Sequence, residues 1–436
     1  MVGAPSVGQE GDGAGPSRRK AEGRSISRAP AYPDPRPPPS SRCNSSQGLH
    51  GQLPRTAEGT SNRRFRRWWE KREGVGSTIE EETFNVRPRP EDLSGFSSGK
   101  NVKVFSYNDL MLATDKFHPS NKIGRGGFGT VFKGTLTDGR QVAVKVLSAE
   151  SKQGIKEFVS EIDSITNVVH MNLVELLGCC IQGTDRILVY DYAENGSLDR
   201  ALLGSDNEMS KLDWNIRSAI CLGTARGLMF LHEELEPPIV HRDIKASNIL
   251  LDKDFVPKIG DFGLAKLFPD NVTHISTCVA GTTGYLAPEY AMGGRLTKKA
   301  DIYSFGVLVL EIVSGRNNAH ASWSDVEKFL LEWTWHLYED GRLLELVDPY
   351  LGEFSEEEVL RYIKVALFCT QGAAKRRPSM PQVVQMLSKP ILLNEKELTP
   401  PGFCKQSKGI NSNDSRLKCS SVNSTAQLSS APGYIF

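Results

Sequence analysis

The chain has 436 residues, 39% of them hydrophobic, and its 53 Lys and Arg are balanced by 52 Asp and Glu. Such a length suggests two to three domain-sized units at roughly 150 residues each, and the charge balance singles out no polyanionic or polycationic partner for the chain as a whole. Eight cysteines without a CxxC pair fit neither a disulfide framework nor a zinc site, which points to a reducing compartment.

Residues 1–100 are rich in Pro, Ser, Gly and Arg and lack apolar periodicity; "APAYPDPRPPPSS" (Ala29 to Ser41) cannot continue a helix or a sheet ladder. This region is expected to be disordered. No apolar h-region opens the chain, so a signal peptide is not expected. Val2 stands where N-myristoylation needs glycine, and Cys43 is a weak candidate for palmitoylation. In "RRFRRWWEKRE" (Arg63 to Glu73) basic and aromatic residues interleave. Such a run suits an anionic membrane surface or single-stranded nucleic acid. The plainer reading is a solvated basic tail, or a short helix packing its two Trp on the folded domain.

Residues 105–392 read as continuously folded. "TVFKGTL", "QVAVKVL" and "RILVYDY" alternate as strands do, with turns such as "TDGR" between them. One helix interrupts them: "IKEFVSEIDSI" sets Phe158, Ile162 and Ile165 at helical spacing. From Ser197 onward helical patterns dominate, as in "WNIRSAICLGTARGLMFLHEEL" and "VLRYIKVALFCTQ". The most apolar stretch, Phe305 to Val313, is too short to span a bilayer and carries Glu311. Residues 393–436 are Ser- and Asn-rich and are expected to form a disordered tail. A small strand-rich lobe followed by a larger helical one places a cleft at their junction.

Five further stretches carry chemistry. "GRGGFGTV" (Gly124 to Val131) fits G-x-G-x-x-G-x-V but runs into a strand, whereas a dinucleotide fingerprint opens a helix. The result is a Gly-rich hairpin whose backbone N–H groups can lie over phosphates. In "VAVK" alternation puts Ala143 and Lys145 on one face, and a cation facing a cleft must be paired. Glu161 and, one turn earlier, Glu157 are the candidate partners. "HRDIKASN" (His241 to Asn248) precedes "DFG" (Asp261 to Gly263) and "APE" (Ala287 to Glu289).

These motifs, in this order and with these gaps, resemble the eukaryotic protein kinases over about 275 residues. The resemblance implies an α+β, bilobal fold, with a small antiparallel-sheet N-lobe holding one helix and a larger helical C-lobe. It implies a kinase domain over 117–392, preceded by a juxta-kinase segment at 105–116, within "FSYNDLMLATDKF" (Phe105 to Phe117). Its cofactors would be ATP and Mg²⁺, with Mn²⁺ as an alternative. Asp243 would accept the substrate hydroxyl's proton, Lys245 would neutralise the γ-phosphate, and Lys145 with Glu161 would hold the α- and β-phosphates. Asn248 and Asp261 would bind the metal. The nucleotide would lie on Ile123, Gly124, Arg125, Gly126, Gly127, Phe128, Gly129, Thr130 and Val131, against Ala143, with Tyr190 behind the pocket. Asp191, Tyr192 and Ala193 would form the hinge that holds adenine. Thr282 would bond Asp243 and Lys245, Glu289 and Arg377 would pair, and Asp301 would brace the catalytic loop. Lys245 and "GTTGY" resemble the Ser/Thr type.

The finer texture, such as "AGTTGYLAPEYAMGGRLTKKADIYSFGVLVLEIVSGR", is similar to plant receptor-like cytoplasmic kinases and most of all to their cold-responsive subgroup. That implies protein substrates, an upstream receptor kinase and a cytoplasmic location. Peripheral contact with the inner face of the plasma membrane would run through Arg63 to Arg72. Nucleic acid is not an expected partner. A pseudokinase scaffold that binds ATP without transferring phosphate is the alternative. Arg242, beside Asp243, is a cation in want of an anion, and a phosphate on Thr277 or Ser276 would supply one.

Overall fold

The structure, a computed structural model, describes residues 102–126, 129–147, 152–204, 212–269, 272–318 and 329–402. The expectations placed on 1–100, on Gly127 and Phe128, and on the tail after 402 fall outside the described residues.

Helix α1 (Tyr107–Ala113) comes first, its N-terminus capped by Ser106, whose side chain accepts from the Asp109 N–H. Strands β1 (Lys122–Gly126), β2 (Gly129–Thr135), β3 (Gln141–Leu147), β4 (Leu176–Gln182) and β5 (Asp185–Asp191) form one antiparallel sheet in the order β1-β2-β3-β5-β4. Helix α2 (Lys152–Ile165) packs on one face of it. Its Phe158, Ile162 and Ile165 are buried, and they meet Val131, Ala143, Leu147 and Leu188 in a common core. Alternation thus places every second residue of β3 toward α2.

The opposite face of this sheet is covered as well. Val142, Val144, Ile187 and Val189 pack against Phe105, Leu110 and Phe117. The chain entering α1 also extends the sheet edge, since the Phe105 N–H donates to the Cys179 carbonyl and the Cys179 N–H to that of Lys103, each at 2.9 Å. An edge strand's unpaired backbone is thereby satisfied. The approach is close enough that a Cβ on Gly178 would stand 2.2 Å from the Lys103 carbonyl oxygen.

The second lobe holds α3 (Leu198–Leu203), α4 (Trp214–Met229), α5 (Pro288–Gly293), α6 (Lys298–Ser314), α7 (Leu330–Glu339), α8 (Glu356–Cys369) and α9 (Met380–Ser388). Residues 300–314 of α6 are all buried, as expected of a helix that is apolar on every side and sits inside a core. Two short antiparallel strand pairs place the cleft residues. β6 (Ile239–Val240) pairs with β9 (Lys266–Leu267), and β7 (Ile249–Leu251) with β8 (Pro257–Ile259). The bilobal arrangement is the one the resemblance implies.

One boundary differs from expectation. Residues 393–402 belong to the fold rather than to a tail. Leu393 and Leu398 pack on the core, Pro401 bridges to Gln371, and the Gly402 carbonyl accepts from the Tyr303 hydroxyl at 2.7 Å. The Ser- and Asn-rich composition of the whole segment hid these few anchoring positions.

Candidate active site between the lobes

Two short strand pairs, one nested inside the other in the chain, gather the functional side chains. Asn248 immediately precedes β7, and Asp261 follows β8 by one residue. Pairing Ile249 with Ile259 therefore sets the two loops side by side, and the Gly260 N–H donates to the Asn248 carbonyl at 2.8 Å. The β6–β9 pair likewise ties the stretch entering His241 to the stretch leaving Ala265. Arg242 and Asp261 both adopt left-handed backbone, with φ of 74° and 63°, a strained geometry for non-glycine residues that clusters at working sites.

Asp301 holds the first of these strained turns. Its carboxylate accepts the N–H groups of His241 and Arg242, each at 2.8 Å, and a bond from His232 at 2.9 Å. Burial alone would push its pKa up; the His232 bond, nearby charge and the Arg242 N–H outweigh that and hold it below the usual carboxylate range.

Lys145 Nζ lies 2.5 Å from Glu161 Oε1 and 2.9 Å from Asp261 Oδ1, with all three side chains buried. Of the two candidate acids on α2, the structure brings Glu161 to Lys145. Burial works against the Lys145 cation, but the two carboxylates outweigh it and raise its pKa. Burial pushes the Glu161 carboxyl up, against the pull of Lys145 and with a further push from Asp261. At Asp261 burial again pushes upward, but the charge and hydrogen bond of Lys145, with Lys245 nearby, together outweigh it and lower the pKa. The Tyr190 hydroxyl donates to the other oxygen of Glu161.

Around Asp243 the contacts are equally specific. The Thr282 hydroxyl donates to Asp243 Oδ1 at 2.7 Å, and Lys245 Nζ lies 2.9 Å from both Asp243 Oδ2 and the Thr282 hydroxyl. Asn248 Nδ2 donates to the Asp243 carbonyl and to its carboxylate, while Asn248 Oδ1 is buried with no partner. The arrangement offers a carboxylate to take a hydroxyl proton, an ammonium to neutralise a transferring anion, and an uncommitted oxygen on Asn248, whose backbone pairs with the residue before Asp261. That oxygen fits a hard divalent cation, which favours oxygen ligands and completes its shell with phosphates and water. Among the described residues no group of three or more His, Cys, Asp and Glu holds a metal by itself, and a cation shared with nucleotide phosphates requires none.

A cavity of about 570 Å³ opens beside this cluster, lined among others by Ile123, Ala143, Tyr190, Asp191, Tyr192, Ala193 and Asp261. Its volume lies in the range of small-ligand sites. Gly124, Arg125 and Gly126 lie on β1 and Gly129, Thr130 and Val131 on β2, with Arg125 opposite Thr130 in a hairpin. At the base of the larger lobe, Arg377 makes a two-pronged pair with Glu289, both contacts 2.8 Å. The arginine is fully buried and the glutamate about a quarter exposed.

Arg242 differs from expectation. Its guanidinium is buried, yet the hydrogen-bonding oxygens are neutral: the Tyr290 hydroxyl and the carbonyls of Leu264 and Cys278. The premise that it lacks partners without an anion does not hold, because the loops around it turn carbonyl oxygens inward. Ser276, exposed, ends strand β10 (Ile275–Ser276), which pairs with β11 (Arg295–Leu296), and Thr277 follows it. Sequence reasoning missed Tyr290, and also Glu311, whose carboxylate accepts from the Tyr285 hydroxyl at 2.6 Å and the Asn318 N–H at 2.7 Å beneath the Thr282 loop. Only the place of Tyr290 directly after "APE" could have drawn notice, and nothing in spacing ties it to a residue 48 positions earlier.

Among known proteins, the protein kinase domain matches residues 117–386. Cold-responsive protein kinase 1 of Arabidopsis thaliana is 56% identical over 306 residues, which is 70% of this chain and 78% of that protein. Two probable LRR receptor-like serine/threonine-protein kinases of the same plant are 53% and 56% identical, over 73% and 69% of this chain. The chain spans 31% and 29% of those two receptors.

Proposed function

The chain belongs to the protein kinase family, and on that premise we propose that it transfers the γ-phosphate of ATP to serine and threonine hydroxyls of proteins. The observation that carries this reading is the three-way contact of Asp243, Lys245 and Thr282 beside the nucleotide-sized cavity. Use of ATP and a divalent metal follows from the family. Mg²⁺ is the proposed ion, held by Asn248 and Asp261, where it would neutralise phosphate charge when bound. The chain's own residues do the rest. Asp243 orients the acceptor hydroxyl and takes its proton, Lys245 neutralises charge on the group in transit, and Lys145, held by Glu161, positions the remaining phosphates. Phosphoamino-acid analysis of a generic protein substrate tests the acceptor class. Phosphoserine and phosphothreonine are expected, and phosphotyrosine alone would overturn it.

We further propose that Ser276 or Thr277 is phosphorylated in the active enzyme, adding to Arg242 the negative charge that its neutral partners lack. The similarity to receptor-like kinases supports a place in intracellular signalling downstream of a receptor. No helix among the described residues is long and apolar enough to cross a membrane. Peripheral membrane contact would fall to the basic run Arg63 to Arg72, and sedimentation with anionic vesicles, lost on deleting that run, is the test.

A further inference from the structure

Arg242 and Tyr290 meet at one oxygen. The Tyr290 hydroxyl accepts from Arg242 Nε at 3.0 Å and Nη2 at 2.5 Å, accepts from the Ala280 N–H at 3.0 Å, and donates to the Cys278 carbonyl at 3.2 Å. A hydroxyl supplies one donor and two lone pairs, so its capacity is used in full, with the edge of the guanidinium sharing one side. The Tyr290 side chain is 1% exposed, and its ring lies 5.6 Å from the guanidinium carbon. Arg242 also donates to Leu264, three residues past Asp261, and to Cys278.

Three segments are thus fastened at a single point: the turn carrying Asp243, the stretch following Asp261, and residues 278–280 of the loop that delivers Thr282. The fastening is tight at its far end as well. Gly281, at φ 128°, comes so near that a Cβ there would stand 2.6 Å from the Arg242 carbonyl oxygen. From Gly281 the next residue is Thr282, whose hydroxyl sits on Asp243.

We propose that the Tyr290 hydroxyl is a built-in neutral counterpart of an activating phosphate. It holds residues 278–282 on Arg242, so that the assembly of Thr282 on Asp243 does not wait for phosphorylation of Ser276 or Thr277. Tyr290 is a positioning residue, acting through Arg242 and the loop without touching substrate. The inference rests on the kinase reading above and assigns a division of labour within it. Tyr290 sets a basal activity, and a phosphate adds the charge that a hydroxyl cannot give.

Four full-length proteins test this: wild type, Tyr290→Phe, Ser276→Ala/Thr277→Ala, and the triple variant. Phenylalanine keeps the buried ring and removes a single oxygen. Turnover and the KM for ATP are measured on a generic serine-containing protein substrate, with thermal melting in parallel. The double-alanine protein should retain transfer far above that of Asp243→Asn. Adding Tyr290→Phe to it should lower kcat by about 10-fold, the expected loss for one buried hydrogen bond to a charged group, with the KM for ATP nearly unchanged. The same substitution in the phosphorylated wild type should cost markedly less, because the phosphate holds the loop. Equal losses in both backgrounds would indicate a merely structural role and overturn the proposal, as would a triple variant as active as the double. A double-alanine protein as inactive as Asp243→Asn would show that phosphate is indispensable and overturn it too. Absence of transfer by the wild type would instead remove the kinase reading itself.

Discussion

The side-chain amide of Asn248 donates both to the backbone carbonyl of Asp243, at 2.8 Å, and to its carboxylate, at 3.1 Å. One residue therefore fixes the orientation of the proposed proton acceptor, and its own remaining oxygen is buried and without a partner. A buried acceptor left unpaired costs roughly 1–3 kcal/mol, and a bound cation would remove that cost. Asn248→Ala should accordingly raise the Mg²⁺ concentration for half-maximal transfer by at least about 10-fold. A magnesium titration at saturating ATP measures it, and an unchanged midpoint would contradict the assignment.

Lys145 sits between two buried carboxylates, so the choice of replacement matters. Lys145→Met removes a cation and leaves Glu161 free to take up a proton, as its raised pKa favours. Lys145→Glu would bury three acids together. Both should reduce transfer by about 100-fold or more, but the glutamate variant should also melt several degrees lower than the methionine one, since like charges in a dry site are costly. Equal melting temperatures would show that the site is wetter than its burial implies.

Glu311 lends the fold a pH dependence. Burial pushes its carboxyl from 4.5 up to about 7, against the hydrogen bonds from Tyr285 and Asn318. The native protein keeps a proton that the unfolded chain releases, so this contribution is fully present below pH 4.5 and is lost as pH rises through about 7. Glu311→Gln removes it. Between pH 5 and 8 the variant should lose less stability than wild type, by on the order of 2 kcal/mol. Denaturant melts at the two pH values check this, and parallel curves would contradict it. Glu161 shifts in the same direction but is tied to Lys145, so its share remains in both proteins.

The stretch 393–402 should behave as part of the domain. Ending the chain after residue 392 removes the Pro401 bridge to Gln371, the Tyr303 bond to Gly402 and the pair between Lys364 and Glu395. Relative to a chain ending at 402, this should cost about 2 kcal/mol of stability. Equal stability of the two would return the boundary to 392.

Much of this site was legible in the sequence because its chemistry lies in short runs. The run from His241 to Asn248 carries the acid, the lysine and the amide within eight residues, and β-strand alternation alone puts Ala143 and Lys145 on one face. What stayed hidden depends on distant parts of the chain. Nothing near Phe105 or Leu110 shows that they cover the outer face of the sheet, since an amphipathic turn does not name its partner. Nor does anything near Arg242 show that a tyrosine 48 residues on will occupy its guanidinium. An uncompensated charge could be read from the sequence, whereas the neutral oxygens that surround it appear only once the loops are folded.

The most direct test of the central claim compares wild type with Asp243→Asn for transfer of labelled γ-phosphate from ATP with Mg²⁺ to a generic protein substrate, with ATP binding measured alongside. Asparagine keeps the shape and the contact with Thr282 while removing the proton acceptor. The account predicts transfer by the wild type, a loss of about 100-fold or more in the variant, and similar ATP affinity in both. Transfer at wild-type level by Asp243→Asn, or none by a wild type that still binds ATP, would contradict it.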